Sequence, residues 1–382
     1  MRVSPLTITA KPKAPSRIPY VNLAQQHRPL KAELMEAVSR VIDHGQFILG
    51  EEVETFEKRF AELCGVQYAV GVNSGTDALI LALRAVGVQP GDEVITVPNS
   101  FVATTACIRL LGARPILVDV GDDYNIDTTG ILAAVSSRTK AILPVHLTGR
   151  PCDMAPILAL AHERNIAVVE DCAQAVMAEY RNQRVGSFGK IGCFSLHPLK
   201  TLNACGDGGV LTTDDPEIYQ RLRLMRNLGL ESRDHCVMWS HNSLLDTLQA
   251  AILLVKMRYL EEWTRRRREN ATYYLSELAG IPGLCVPAVK NYENPVYHTF
   301  VVQAERREAL RPFLKSQGID TNIHYPVPIH LSSAGSELGY AKGSFPKAER
   351  QAQKILSLPV YPELEPEHLK HIVSSLRHFY RA

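Results

Sequence analysis

From Tyr68 to Asp171 the sequence sets short apolar runs between longer segments of helical composition. Strand-like runs fall at Tyr68–Val72, Val94–Val97, Arg114–Val118, Lys140–His146 and Ile166–Asp171, with helical patterns at Ala78–Val86, Thr129–Val135 and Met154–Arg164. Strands separated by helices of this length pair in parallel, since each return crosses a face of the sheet. The expected architecture is therefore α/β, a mostly parallel central sheet between two helical layers, with a smaller C-terminal α/β domain. The run Ile166-Ala167-Val168-Val169 closes on Glu170-Asp171, at the C-terminal strand edge where open α/β sheets hold their ligands. Asp171 is thus a site candidate, and a carboxylate at that depth needs a cation or hydrogen-bond donors to stay ionised.

A second short strand is expected over Ile191–Leu196, and Pro198 stops it from simply continuing before Lys200. One partner for such an Asp is the pyridinium nitrogen of pyridoxal 5'-phosphate, a cofactor that also needs a Lys in Schiff-base linkage. Lys200 would be that lysine. Spacing alone favours the plainer reading, an Asp paired with any Arg and a Lys in a surface loop. Upstream, the Tyr68–Val72 strand runs into Asn73-Ser74-Gly75-Thr76-Asp77 ahead of a helix. Such a turn offers free backbone N–H groups at the positive end of a helix dipole, which suits a phosphate. Gly75 allows close approach, and the Thr76 hydroxyl can cap the helix or donate to the phosphate. On its own, this pattern is more often just a cap.

Composition excludes several function classes. With 382 residues, 46% hydrophobic, 21% charged and a net charge of +2, the chain is an ordinary soluble globular type without the signature of a nucleic-acid or acidic-membrane binder. The one dense basic run, Arg265 to Arg268, reads as a solvated helix face. Eight scattered cysteines with no C-x-x-C pair suit small buried residues in a reducing compartment, with neither a disulfide framework nor a metal site. No apolar stretch approaches 18 residues, and residues 1–17 lack a signal-peptide core. The expectation is a cytoplasmic protein with a flexible leader at 1–17, a large domain at 18–260 and a small domain at 261–382. One long helix from Leu245 to about Leu278 is expected to join the two domains.

The runs Glu170-Asp171-Cys172-Ala173-Gln174-Ala175 and Gly186-Ser187-Phe188-Gly189 add to the picture, as do Phe194-Ser195-Leu196-His197-Pro198-Leu199-Lys200 and Gly206-Asp207-Gly208-Gly209. Together they resemble the DegT-type sugar aminotransferases, pyridoxal-phosphate enzymes of fold type I, from about Ile18 to the C-terminus. The resemblance implies that Lys200 carries the cofactor and Asp171 meets its ring nitrogen. It implies phosphate contacts from Gly75, Thr76 and Ser195, a ring stack from Phe101, and Gln174 near the phenolic oxygen. His197 would stand beside the chemistry. The segment His241–Ala251 resembles one that enters a neighbouring subunit's site, so Asn242 would reach the partner's phosphate and a homodimer is implied. Leu244 departs from the family's usual Arg, and Thr148 from its usual aromatic. His324 and Tyr325 would contact substrate, as in the subgroup acting at C3 of keto-deoxysugars.

The resemblance thus implies a keto sugar or keto cyclitol as acceptor and glutamate or glutamine as amino donor, in antibiotic or surface-glycan sugar assembly. Three rivals stand beside this reading. A sugar dehydratase of the same family would carry His where this chain has Lys200. A non-catalytic regulator or scaffold would not need the set Asp171, Gln174, Ser195 and Lys200. A nicotinamide-dependent dehydrogenase would need G-x-G-x-x-G after the first strand, and Gly71 to Gly75 has the wrong spacing.

Overall fold

The protein is seen here as a computed structural model that describes residues 17–381. Helices α1 (Lys31–His44) and α2 (Glu51–Cys64) lead into β1 (Tyr68–Val72), α3 (Gly75–Ala85), β2 (Glu93–Thr96), α4 (Val102–Leu110) and β3 (Arg114–Leu117). Then come α5 (Thr128–Ala134), β4 (Thr139–Ile142), α6 (Met154–Arg164), β5 (Ala167–Asp171), β6 (Ile191–Ser195), β7 (Gly209–Thr213) and α7 (Pro216–Arg226). The seven strands form one sheet in the order β1-β7-β6-β5-β4-β2-β3.

Every neighbouring pair from β6 through β3 is parallel, whereas β7 runs antiparallel to both β6 and β1. The segment between β6 and β7 is a loop without a helix, from which the chain doubles back beside the strand it has just left. That return loop carries Lys200.

Both faces of the sheet are covered, as the side chains of β5 show. Val168 packs with Ile157 and Ala161 of α6, while its neighbour Val169 packs with Leu79 and Leu83 of α3 on the other face. On β6, Phe194 is 1% exposed and meets Phe60 of α2 edge-on, ring centroids 5.0 Å apart. Glu170, fully buried on β5, fixes the turn that brings the chain into β6. Its carboxylate accepts from the N–H groups of Gly186 (2.9 Å), Phe188 (2.8 Å) and Gly189 (2.8 Å), and it pairs with His146 at 3.0 Å. Burial pushes its pKa up, but these bonds hold it below the ordinary value. His146 Nδ1 accepts from the N–H of Cys152, so the ring proton sits on Nε2 and faces Glu170.

The C-terminal part is built on a second sheet, β8 (Leu284–Cys285), β9 (Phe300–Ala304) and β10 (Ile355–Leu358), antiparallel throughout. Helices α10 (Arg307–Ser316) and α11 (Pro366–Arg381) bury Leu310, Leu314, Ile372 and Leu376 in one core with Phe300, Leu356 and Tyr274. Ile18 joins this core and bridges to Ile319. Of the expected leader, only Arg17 lies within the described residues, and its guanidinium pairs with Asp320 at 2.8 Å. No helix among the described residues is long and apolar enough to cross a membrane.

Several local expectations need correction. The expected helix Leu245–Leu278 is two, α8 (Thr247–Met257) and α9 (Leu260–Glu277). At the break Arg258 and Tyr259 both turn to Glu33 of α1, the tyrosine hydroxyl at 2.6 Å. The run Arg265–Arg268 is only half solvated. Arg265 and Arg266 pair with Glu262 on the surface, but Arg267 is 6% exposed and Arg268 donates to the carbonyls of Pro295 (2.9 Å) and Met177 (3.2 Å). Three cysteines, Cys205, Cys236 and Cys285, are exposed; the other five are buried. Strand β4 stops at Ile142 because Pro144 lacks a ladder N–H, leaving Val145 a lone bridge to Asp171.

Truncating the Phe194 ring would leave a cavity between α2 and the sheet. Phe194→Ala should lower stability by about 3–5 kcal/mol, read from the midpoint of a urea titration at unchanged slope.

Candidate active site

The C-terminal ends of β1, β5 and β6 open on one cleft. From β5 comes Asp171, 3% exposed; its Oδ2 accepts from the Thr104 hydroxyl at 2.7 Å and its Oδ1 from the Ala173 N–H at 3.1 Å. Thr104 in turn meets the Ser100 hydroxyl at 2.8 Å. Burial raises the Asp171 pKa, and these two donors and the Lys200 charge offset it only in part. Asp171 therefore favours a partner that brings it positive charge or a proton.

Lys200 sits on the β6–β7 return loop, which closes with Leu196 N–H to Gly208 O (2.8 Å) and Ala204 N–H to Leu196 O (2.7 Å). Burial lowers its pKa to about 8, with Asp171 pulling the other way. At neutral pH a useful share of this amine is thus unprotonated and nucleophilic.

At the end of β1, Ser74 rather than Thr76 caps α3, its hydroxyl accepting from the Asp77 N–H at 3.1 Å. The Thr76 hydroxyl is left free of that task. Gly75 and Thr76 are the first residues of the helix, where backbone N–H groups lack intrahelical partners. A Cβ at Gly75 would lie 2.6 Å from Ser195 Cβ, so only glycine lets this helix end approach the end of β6. Gly75, Thr76 and Ser195 form one small cradle with an anion's preferred partners.

The far wall joins Gln174 and Phe101, from the part built on the large sheet, to His324 and Tyr325 of the C-terminal part. Gln174, 5% exposed, accepts the Thr148 N–H through Oε1 (2.7 Å) and donates through Nε2 to the Tyr325 hydroxyl (3.3 Å). It does both the loop-satisfying job and a site-facing one. Phe101 begins α4, half exposed, its ring 5.7 Å from that of Tyr325. Burial pushes Tyr325 up to about 12, with Asp171 adding to it, and pushes His324 down to about 4. His324 Nδ1 meets the Ser357 hydroxyl at 2.9 Å. The exposed His197 lies on the loop, its Nδ1 accepting from the Leu199 N–H at 3.3 Å.

Two expected residues stay apart from this group. Asn242 is exposed and spends its Oδ1 on the N–H of Leu244 at 3.3 Å. Leu244 pairs with Val72 beside a cleft of ≈ 380 Å³ lined by Asn73, Ser74, Asp207 and Asp246, with no cation in its lining. Thr104 and Ser100 went unread in the sequence, although hydroxyls four residues apart at the start of a helix just after a strand end were the available signal.

The residues present fit pyridoxal phosphate: an anion cradle at one end, a buried carboxylate with no cation in contact at the other, and an amine of lowered pKa between. The family model for the DegT/DnrJ/EryC1/StrS aminotransferases matches residues 29–377. The chain belongs to that family. It is 42% identical over 362 residues, 94% of this chain and 96% of the other, to a dTDP-3-amino-3,4,6-trideoxy-alpha-D-glucose transaminase of Streptomyces venezuelae. Its fold superposes on DesV of S. venezuelae, solved with a ketimine intermediate, with a TM-score of 0.94 at 42% identity, covering 96% of this chain and 99% of that one. For NtdA of Bacillus subtilis, solved with its cofactor PMP, the TM-score is 0.91 at 28% identity, with coverage of 98% and 87%. The protein is accordingly a pyridoxal-phosphate-dependent aminotransferase of fold type I.

Only the neutral amine of Lys200 attacks an aldehyde. The rate at which the cofactor-free aminotransferase captures pyridoxal phosphate should therefore rise with pH through a midpoint near 8. Stopped-flow absorbance measures it; a midpoint near the ordinary lysine value of about 10.4 would contradict the burial of this side chain.

Proposed function

We propose that this aminotransferase turns a ketone, at C3 of a nucleotide-linked keto-deoxysugar, into an amine, with glutamate or glutamine as donor, in antibiotic or surface-glycan assembly. The observation that carries the reading is the buried Asp171 facing an amine of pKa about 8, in a chain 42% identical to an enzyme named for a 3-amino nucleotide sugar. When bound, pyridoxal phosphate supplies the electron sink for the carbon that loses its proton. Asp171, supported by Thr104, would hold the proton on the ring nitrogen. Lys200 would hold the cofactor in Schiff-base linkage, and its amine, when free, would carry the proton between the two carbons. Gly75, Thr76 and Ser195 would bind the phosphate, and Phe101 would cover the ring. Gln174 would donate toward the phenolic oxygen, with His324 and Tyr325 on the sugar's side. An imidazole at position 200 would be needed for the dehydratase branch, and the residue is an amine.

The same reading includes a homodimer. Asn242 is the partner's phosphate contact, and the exposed Phe47, Ile48, Phe101, Val102, Leu199 and Trp239 belong to the face that a second copy covers. A boundary near residue 260 separates the large and small domains, and the enzyme works in the cytoplasm.

Three experiments test this reading. Visible absorbance of the purified protein should show the Lys200-linked cofactor, and its band should fade with glutamate or with glutamine. Lys200→Ala should abolish the linkage and cut turnover by roughly 10²–10⁴-fold or more, and a coloured, active variant would sink the mechanism. Mixing Lys200→Ala with Asn242→Asp subunits should restore activity, because each hybrid dimer rebuilds one intact site while placing both lesions in the other. A mixture no more active than its components would remove the shared site.

A further inference from the structure

Helix α8 carries a second buried lysine that the proposed chemistry does not use. Lys256 is 0% exposed, and its Nζ donates to the Asn203 carbonyl at 2.9 Å and to Asn203 Oδ1 at 2.6 Å, with Cys205 Sγ at 3.8 Å. Among the described residues no carboxylate pairs with it. Burial lowers its pKa, and the nearby Cys205 sulfur opposes that shift. An apolar side chain would fill this place in α8 without the cost of desolvating an amine.

What the amine does is set the direction of one amide. Asn203, 1% exposed, lies on the loop that carries Lys200, and its Nδ2 donates to the Lys200 carbonyl at 3.1 Å and to Gln26 Oε1 at 3.4 Å. Turning the amide over would press its NH2 group, which can only donate, against an amine that also donates here. With Lys256 in place, only one orientation survives, and it is the one that holds the Lys200 backbone. Gln26 is fixed in the same way, because its Nε2 donates to Glu363 Oε1 at 3.2 Å in the C-terminal part. The neighbours Thr201, Leu202 and Ala204 are all buried, so the stretch just after Lys200 is held by packing as well.

We propose that Lys256 is a positioning residue for Lys200: through Asn203 it fixes the backbone from which Lys200 reaches the cofactor. The inference rests on Lys200 being the lysine that carries pyridoxal phosphate. Two substitutions separate positioning from simple stability. Lys256→Met keeps the shape and removes the donor. Asn203→Asp keeps acceptors for Lys256 but removes the donor to the Lys200 carbonyl.

Three quantities are read on the holoenzyme and each variant: the thermal unfolding midpoint, the dissociation constant for pyridoxal phosphate, and the pH midpoint of the Lys200-linked absorbance band. Both variants should weaken cofactor binding by at least about fivefold or move the band's midpoint by at least about half a pH unit, and the double variant should be no worse than either alone. Binding within about twofold and an unmoved midpoint in both variants, whatever the unfolding temperature, would overturn the role. Should Lys256→Met fail to fold, Asn203→Asp decides in the same terms. A wild-type protein that forms no absorbance band with pyridoxal phosphate would instead refute the cofactor assignment, a different failure seen before any variant is made.

Discussion

Removing Asp171 from water is the act on which the rest of the site depends. A carboxylate at the end of a buried strand is driven toward its neutral form, and the two donors within reach, Thr104 and the Ala173 N–H, offset that drive only in part. Lys200 is driven the other way by the same low dielectric, toward the free amine. One environment thus favours a proton held near the carboxylate and lets the amine give up its own more readily. Two such groups in one cleft, tuned by burial in opposite senses, are the usual mark of acid–base chemistry.

Holding both groups in place falls to different parts of the fold. Asp171 is fixed by the parallel sheet, since β5 lies between β4 and β6 and its neighbour Glu170 ties down the turn that follows. Lys200 stands on a loop and needs another source of rigidity. The single antiparallel strand supplies part of it, because β7 returns directly beside β6 and ties the two ends of the loop together through Leu196 N–H and Gly208 O. Buried polar contacts from Asn203 and Lys256 supply the rest. A loop anchored by a few directional bonds can hold one backbone position while leaving a long side chain free to swing, which a proton carrier needs.

Much of this was legible in the sequence, and the division follows the range of the interactions. Strands with contiguous apolar runs and helices with intact periodicity announce themselves locally, and α6 begins at Met154 and ends at Arg164 as its pattern indicates. Gly75, Asp171, Ser195 and Lys200 stand at or beyond strand ends, which the sheet gathers at one edge, but their roles were legible through the family resemblance and not through spacing. What stayed hidden depends on partners far along the chain. The break between α8 and α9 is made by Glu33, more than two hundred residues away, and Arg267 is buried by C-terminal packing that no helical periodicity reveals. Thr104 looks like any helix threonine until Asp171, 67 residues later, is set against it. Ser74 displaced Thr76 as the cap because capping is decided by which residue adopts the extended backbone, and either hydroxyl would have served.

Charge on the substrate side is the remaining consequence. His324 is held near pKa 4 and Tyr325 is raised to about 12, so both are neutral at physiological pH. Burial produces both shifts, the Lys200 charge adding to it at His324 and Asp171 at Tyr325, and protonating the histidine would add a cation to a cleft that already disfavours one. Neutral imidazole, phenol and amide groups can give and take hydrogen bonds without charge, which matches the hydroxyls of a sugar. They do not match a carboxylate or a diphosphate. With Leu244 where the family resemblance leads one to expect Arg, an anionic group on donor or sugar must find its cation beyond these three side chains.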